Sequence, residues 1–185
     1  PIIVPVLLVS VVCAIFSLIN GFIIAKLKVT PFIATMGTMI IVYGTNSIYF
    51  DRPPYGAQPI GGLDERFMNF AQGSFNIGGF LVPYLVVYAT VVTIIMWILW
   101  NKTRFGKNMF AIGGNPEAAV VSGVNFTRTM MLVFMLAGAL YGFAGALEAG
   151  RVGSATNNTG NMYEMDAIAA CVVGGVSFSG GIGSI

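Results

Sequence analysis

VPVLLVSVVCAIFSLINGFIIA, Val4–Ala25, runs for 22 residues without a single charged side chain. As a helix rising 1.5 Å per residue it would be about 33 Å long, enough to cross the ~30 Å hydrocarbon core of a bilayer. Lys26 and Lys28 close it on one side. The rest of the chain has the same character: 56% of the 185 residues are hydrophobic and only 9% are charged, with a mean hydropathy of +0.83. Soluble domains carry about 25% charged residues. The composition therefore predicts an all-α integral membrane protein, a polytopic bundle of transmembrane helices.

Working outward from the first span, the chain reads as alternating apolar runs and polar gaps. A second span begins at Pro31, a residue suited to the first helical turn, and extends to about Phe50. A Pro- and Gly-rich segment from Asp51 to about Gly79 follows, with Phe67 and Phe70 on a short surface helix. A third span covers about 81–100, its end marked by Trp97 and Trp100, residue types that favour the membrane interface. The gap 101–128 precedes a fourth span at about 129–149. A polar loop from Gly150 to about Glu164 then leads to a glycine-laden apolar stretch, 167–185, read as a partial fifth span. The chain starts at Pro1 without signal-peptide architecture and stops at SGGIGSI without a charged flank; it reads as an internal piece of a longer protein.

The basic residues set orientation. Lys26, Lys28, Lys102, Arg104, Lys107 and Arg128 fall on one side, whereas Arg52, Arg66 and Arg151 fall on the other, with six of the seven acids at or near that second side. Cytoplasmic loops carry the excess of Lys and Arg, so the gap 101–128 is expected in the cytoplasm. The formal net charge of +2 and the absence of a basic tract argue against nucleic acid as a partner. The chain has no histidine, the commonest metal ligand and general base, and its two cysteines, Cys13 and Cys171, lie apart in apolar text. They read as buried thiols, and no metal site is expected.

Within the cytoplasmic gap, GGNPEAAVVSGVN (Gly113–Asn125) has helix punctuation at both ends. Asn115 can cap exposed amides, Pro116 fits the first helical position, and Glu117 complements the positive end of the helix dipole. Gly123 can adopt the left-handed conformation that stops a helix. Two turns are too few to stand alone in water, so contacts on either side must hold them. Ala118 and Ala119 are expected to form a low outer surface, with Val120, Val121 and Val124 packing on the membrane domain. Taken alone, these residues fit a capped connector as well as a docking element.

Three other sets of residues carry meaning. Gly138, Gly142 and Gly145, with Ala146 and Ala149, give the fourth span a small-residue face that permits close helix approach, either within one subunit or between two. Thr35, Thr38, Thr45 and Asn46 fall near one face of the second span; they either line a path for a neutral polar solute or bond to neighbouring helices. Gly174-Gly175 and Gly180-Gly181-x-Gly183 have no nearby lysine and so lack the G-x-x-x-x-G-K-[ST] of a phosphate loop. They read as close packing or as a broken helix beside a cavity, with Ser177 and Ser179 the polar groups facing water. Glu148, Glu164, Asp166 and Arg151 flank the outer loop, as interfacial charges or as partners for something arriving from outside. An intramembrane enzyme or an ion-coupled carrier would need ionisable groups at mid-membrane, and the central parts of these spans show none.

Glu117-Ala118-Ala119-x-x-x-Gly123 matches E-A-A-x-x-x-G, the cytoplasmic loop signature of the permeases of bacterial ATP-binding-cassette importers. TPFIATMGTMIIVYG (Thr30–Gly44), WNKTRFGKNMFAIGGNPEAAVVSGVN (Trp100–Asn125) and YEMDAIAACVVGGVSFSGGIGS (Tyr163–Ser184) resemble the ribose/galactose branch of that family, and LEAGRVGSATNN (Leu147–Asn158) resembles its galactose side. The resemblance implies a multi-pass permease of the bacterial inner membrane, embedded in the lipid bilayer, working as a homodimer with a second permease copy. It further implies a cytoplasmic ATPase subunit, a periplasmic sugar-binding protein and a monosaccharide as cargo. ATP and magnesium would sit on the ATPase, leaving no cofactor in this chain and no catalysis. Asn115, Pro116, Glu117, Ala118, Ala119 and Gly123 would form the helix that couples the ATPase to the membrane.

Overall fold

The computed structural model describes residues 2–54, 56–177 and 180–183. In chain order its elements are α1 (Ile3–Leu27), α2 (Pro31–Phe50), α3 (Glu65–Gln72), β1 (Ser74–Ile77), β2 (Phe80–Pro83), α4 (Tyr84–Lys102), α5 (Arg104–Gly114), α6 (Pro116–Val121), α7 (Phe126–Val152) and α8 (Tyr163–Val173). Among the described residues, α1, α4 and α7 are long and apolar enough to cross a membrane. Leu7, Leu8, Ile15, Ile40, Ile41, Ile94 and Ile95 all face outward. An apolar surface on that scale has no stable place in water and marks a lipid or protein environment. The chain is an all-α membrane protein; among the described residues the exceptions are one small hairpin and an isolated bridge between Ile60 and Ala155.

The organising contact joins α1 and α7. A Cβ on Gly142 would lie 2.6 Å from Ser10 Cα and 2.8 Å from the Val9 carbonyl oxygen. One on Gly138 would lie 2.5 Å from the Cys13 carbonyl oxygen and 2.9 Å from Ala14 Cα. Near the other end of α1, a Cβ on Gly21 would lie 3.2 Å from Met131 Cα. As numbers rise on α7 they fall on α1, so the two helices are antiparallel. Their backbones touch where side chains are absent. The small-residue face therefore packs within this chain at Gly138 and Gly142, whereas Gly145 has nothing within 4 Å and takes no part in that contact.

The sequence expectation of four full spans and a partial fifth meets differences at α2 and α8. α2 has the length, 20 residues or about 30 Å, but Thr35, Gly37, Thr38, Gly44, Thr45 and Asn46 dilute its apolar content, and it falls outside the set that qualifies by composition. α8 begins at Tyr163, earlier than expected, and ends at Val173 after 11 residues. There Gly175, with φ +85°, closes a helix stop: its N–H donates to Val172 O at 3.0 Å and that of Val176 to Cys171 O at 3.0 Å. Cys171, expected to be buried, is exposed.

The Asp51–Gly79 segment forms a cap at the end of α7. Asp64 caps α3 by accepting from the Arg66 N–H at 2.8 Å, and Gln72 Nε2 donates to the carbonyl oxygens of Gly150 (3.3 Å) and Arg151 (3.0 Å). Phe70 stacks on Tyr88 of α4, centroids 4.9 Å apart, while the Tyr88 hydroxyl donates to Phe70 O at 3.0 Å. The expected start of the third span is instead strand β2, paired with β1 in register Ser74↔Pro83 to Ile77↔Phe80. Gly78 and Gly79 both have positive φ, +59° and +98°, as a two-residue hairpin turn demands.

These distances predict a contrast within one helix. In the full-length protein, Gly142→Ala should lower thermal stability, by about 1–3 kcal/mol for an overpacked contact, because α1 must move away. Gly145→Ala, meeting only open space, should leave it unchanged or raise it. A thermal melt of both purified variants checks this.

Candidate functional site

The 101–128 gap holds two short helices. Thr103 starts the first, its Oγ1 accepting from the Gly106 N–H at 3.2 Å. Gly106 lies directly against the Trp100 carbonyl, where a Cβ could not fit, and this lets α5 fold back sharply from α4. Asn115 then serves both helices. Its N–H closes α5 by donating to Ala111 O at 3.0 Å, and its side-chain oxygen accepts from the Ala118 N–H at 3.0 Å to open α6. Pro116 takes the first helical position and Glu117 the first turn. At the far end Gly123 adopts φ +86°. Its N–H donates to Val120 O at 3.0 Å, and that of Val124 to Ala119 O at 3.0 Å, the paired stop in which a left-handed residue satisfies the last carbonyls. Six residues thus hold a helix too short to be stable without contacts at its ends and along one face.

The faces of α6 differ from the expectation in one respect. Ala119 is buried, 4% exposed, whereas Val120 is 53% and Val121 89% exposed. The outward surface is made by Glu117, Ala118, Val120 and Val121, and Ala119 is the inward anchor. The expected outward Ala118 and inward Val124 agree with this, Val124 being half-buried, whereas Ala119, Val120 and Val121 take the opposite faces from those expected. Adjacent residues of a helix point to different faces, and here Ala119 takes the inward one while Ala118 stays outward.

A second connection had no direct sequence reading. The glycine segment after α8 returns to this site: a Cβ on Gly181 would lie 2.6 Å from Gly114 Cα, and one on Gly180 2.9 Å from the Gly113 carbonyl oxygen. Gly180 (φ +83°) and Gly181 (φ +73°) are both left-handed, a conformation that glycine adopts without strain. Both readings of these glycines appear among the described residues: Gly180 and Gly181 pack closely, whereas Gly174 and Gly175 end α8 beside an apolar cavity lined by Ile168, Cys171, Val172, Val176 and Ser177. The matching doublets Gly113-Gly114 and Gly180-Gly181 were the available signal. Ser177, beside them, donates its N–H to Ile182 O at 3.0 Å; Ser179 lies outside the described residues.

The polar residues of α2 divide. Thr38 Oγ1 donates to Asn20 Oδ1 of α1 at 2.5 Å, an interhelical bond. Thr35 and Thr45 donate to Pro31 O (2.9 Å) and Ile41 O (2.8 Å) one turn back in their own helix, a common resting place for hydroxyls in apolar surroundings. Asn46 is exposed. On the opposite end of the molecule, Arg151 forms a two-bond ion pair with Glu148, 2.7 and 2.8 Å, and the Tyr163 hydroxyl donates to Glu148 at 3.0 Å. Glu148 and Arg151 are therefore internally paired, while Glu164 and Asp166 occupy the first turn of α8.

The caps predict a local effect. Asn115→Ala removes the acceptor for the Ala118 amide at a cost of about 1 kcal/mol, and amide exchange across α6 should speed up about fivefold. Gly123→Ala should act similarly, since an L side chain is strained by about 1–2 kcal/mol in the left-handed conformation. Exchange rates equal to wild type in both would show that α6 is held by something other than its ends.

The profile of a family described as "Branched-chain amino acid transport system / permease component" matches residues 1–185. The chain is 60% identical over its whole length to the galactose/methyl galactoside import permeases of Haemophilus influenzae and Escherichia coli, covering 54% of each. It is 42% identical over 167 residues to the ribose import permease of Bacillus subtilis, covering 90% of this chain and 49% of the relative. The chain thus spans about half the length of the curated relatives it matches. No solved structure matches it. The chain belongs to the branched-chain amino acid transport system/permease component family of membrane permeases.

Proposed function

We propose that this chain forms part of the permease subunit of an ATP-driven importer that carries galactose or a methyl galactoside across the bacterial inner membrane. The observation that carries this reading is α6: a doubly capped helix presenting Glu117, Ala118 and Val121 outward from the most basic gap of a chain so similar to galactose permeases. ATP hydrolysis belongs to a separate cytoplasmic subunit, and a periplasmic binding protein delivers the sugar. Two permease copies enclose the path.

The mechanism follows from rigidity. Closure of the ATPase pair pushes on α6, whose caps keep it from yielding. Gly123 and Val124 connect α6 to α7 within a few residues, and α7 is locked backbone to backbone with α1. The push therefore moves the α1–α7 pair as one body and exposes the path alternately to either side. A sugar needs neutral donors and acceptors, which Thr35, Thr45, Asn46 and Ser177 supply. Because Thr35 and Thr45 already donate to their own helix, they would meet the sugar as acceptors.

Two experiments on the full-length permease, reconstituted in nanodiscs with its ATPase, test this reading. Galactose-loaded binding protein should stimulate ATP hydrolysis and ribose-loaded protein should not; the reverse would overturn the choice of sugar, and failure of any ATPase to co-purify would overturn the class. Ala118→Arg, on the outward face of α6, should reduce galactose uptake about tenfold, as loss of a central interface contact does, with the permease still present in the membrane at its normal level. Uptake at the wild-type rate would remove α6 from the mechanism.

A further inference from the structure

Between the end of α1 and the start of α7 lies an open cleft of about 470 Å³, lined by Leu18, Lys26, Asn125, Thr127, Arg128, Met131 and Leu132. The polar members all offer hydrogen-bond donors, and the lining contains no carboxylate. Among the described residues the one ion pair is Arg151–Glu148, so neither Lys26 nor Arg128 is neutralised by an acid. Asn125 uses its side-chain oxygen to cap α7, accepting from the Arg128 N–H at 2.9 Å, which leaves its amide NH2 to donate into the cleft.

The lining is graded along the helices. Lys26 and Arg128 stand at the ends of α1 and α7 on the side with the excess of basic residues. Leu18 lies eight residues before Lys26, about 12 Å deeper along α1. Met131 and Leu132 lie about one turn deeper along α7 than Arg128. The cleft is thus cationic at the membrane edge and apolar toward the hydrocarbon, on two helices whose outward surfaces are themselves apolar. A soluble anion would use the cations but leave the apolar wall unfilled. An apolar protein segment would leave two uncompensated cations.

We propose that this cleft binds an anionic phospholipid, with the phosphate held by Lys26, Arg128, Asn125 and Thr127 and an acyl chain lying over Leu18, Met131 and Leu132. Basic pockets between helices on the cytoplasmic side suit such headgroups, because the anionic lipids lie in that leaflet. The guanidinium forks onto phosphate oxygens while the ammonium acts as a point charge. The site joins the two helices of the packed pair at the root of α6. The inference goes beyond the importer reading and does not depend on which solute is carried.

Native mass spectrometry of the purified full-length permease, titrated with phosphatidylglycerol and with phosphatidylcholine, tests it. The wild type should retain phosphatidylglycerol in preference to phosphatidylcholine. The double variant Lys26→Gln/Arg128→Gln should bind phosphatidylglycerol on the order of tenfold to thirtyfold more weakly. Lys26→Arg/Arg128→Lys, which keeps both charges, should retain most of the binding and shows that the site survives substitution. Lys102→Gln/Lys107→Gln removes the same charge from the same side but outside the cleft and should have little effect. Equal losses in the two Gln pairs would mean attraction by overall charge and would overturn the site, as would unchanged binding in Lys26→Gln/Arg128→Gln. Displacement of the bound species by millimolar inorganic phosphate would assign the cations to a free anion and overturn the lipid.

Discussion

Contact between the backbones of α1 and α7 governs the arrangement of the other elements. In lipid, helices gain little from burying apolar surface against one another, because the solvent is equally apolar; close van der Waals packing has to do that work. Gly138 and Gly142 allow it by presenting bare backbone to Val9, Ser10, Cys13 and Ala14. The antiparallel pair that results joins other elements at both ends. At one, Gly150 lies close to Ala71, a Gly150 Cβ falling 2.9 Å from the alanine methyl, which seats α3 and the outer cap. At the other, α7 emerges directly from α6, and Lys26 and Arg128 come together around a single cleft.

α6 is a helix below the length of independent stability that is held at several points. Asn115 and Gly123 satisfy its ends, Ala119 anchors it inward, and Gly180 and Gly181 rest against Gly113 and Gly114 just before it. A helix fixed at both ends and along one face transmits a push instead of absorbing it by fraying. The glycine contact also brings Gly180 and Gly181, after α8, to the same place. α6 thus adjoins the bundle in two places, through α7 and through the contact of Gly180 and Gly181 with the residues just before it.

Much of this was legible in the sequence because the governing signals are local. Charge-free runs of about 20 residues announce membrane helices, and Asn-Pro-Glu followed by Gly123 announced both ends of α6. The face that α6 buries was not legible: Val is more often buried than Ala, and because adjacent residues of a helix point to different faces the text alone does not say which of them turns inward. For Thr38 the choice between a path and a helix contact also needed the structure, since Asn20 lies 18 residues away in sequence. The hairpin at Ser74–Pro83 was hidden because its second strand, Phe-Leu-Val-Pro, is as apolar as the span that follows. The pairing of Gly180-Gly181 with Gly113-Gly114 joins distant parts of the chain, and no periodicity reports such a contact.

The central claim is that the outward face of α6 is where the ATPase engages. The most direct measurement is the accessibility of single cysteines in the full-length permease to a membrane-impermeant maleimide, with and without the ATPase subunit bound. Val121→Cys should react quickly in the free permease and become protected in the complex, while Ala119→Cys should react slowly in both. Equal modification of Val121→Cys with and without the ATPase would contradict the account.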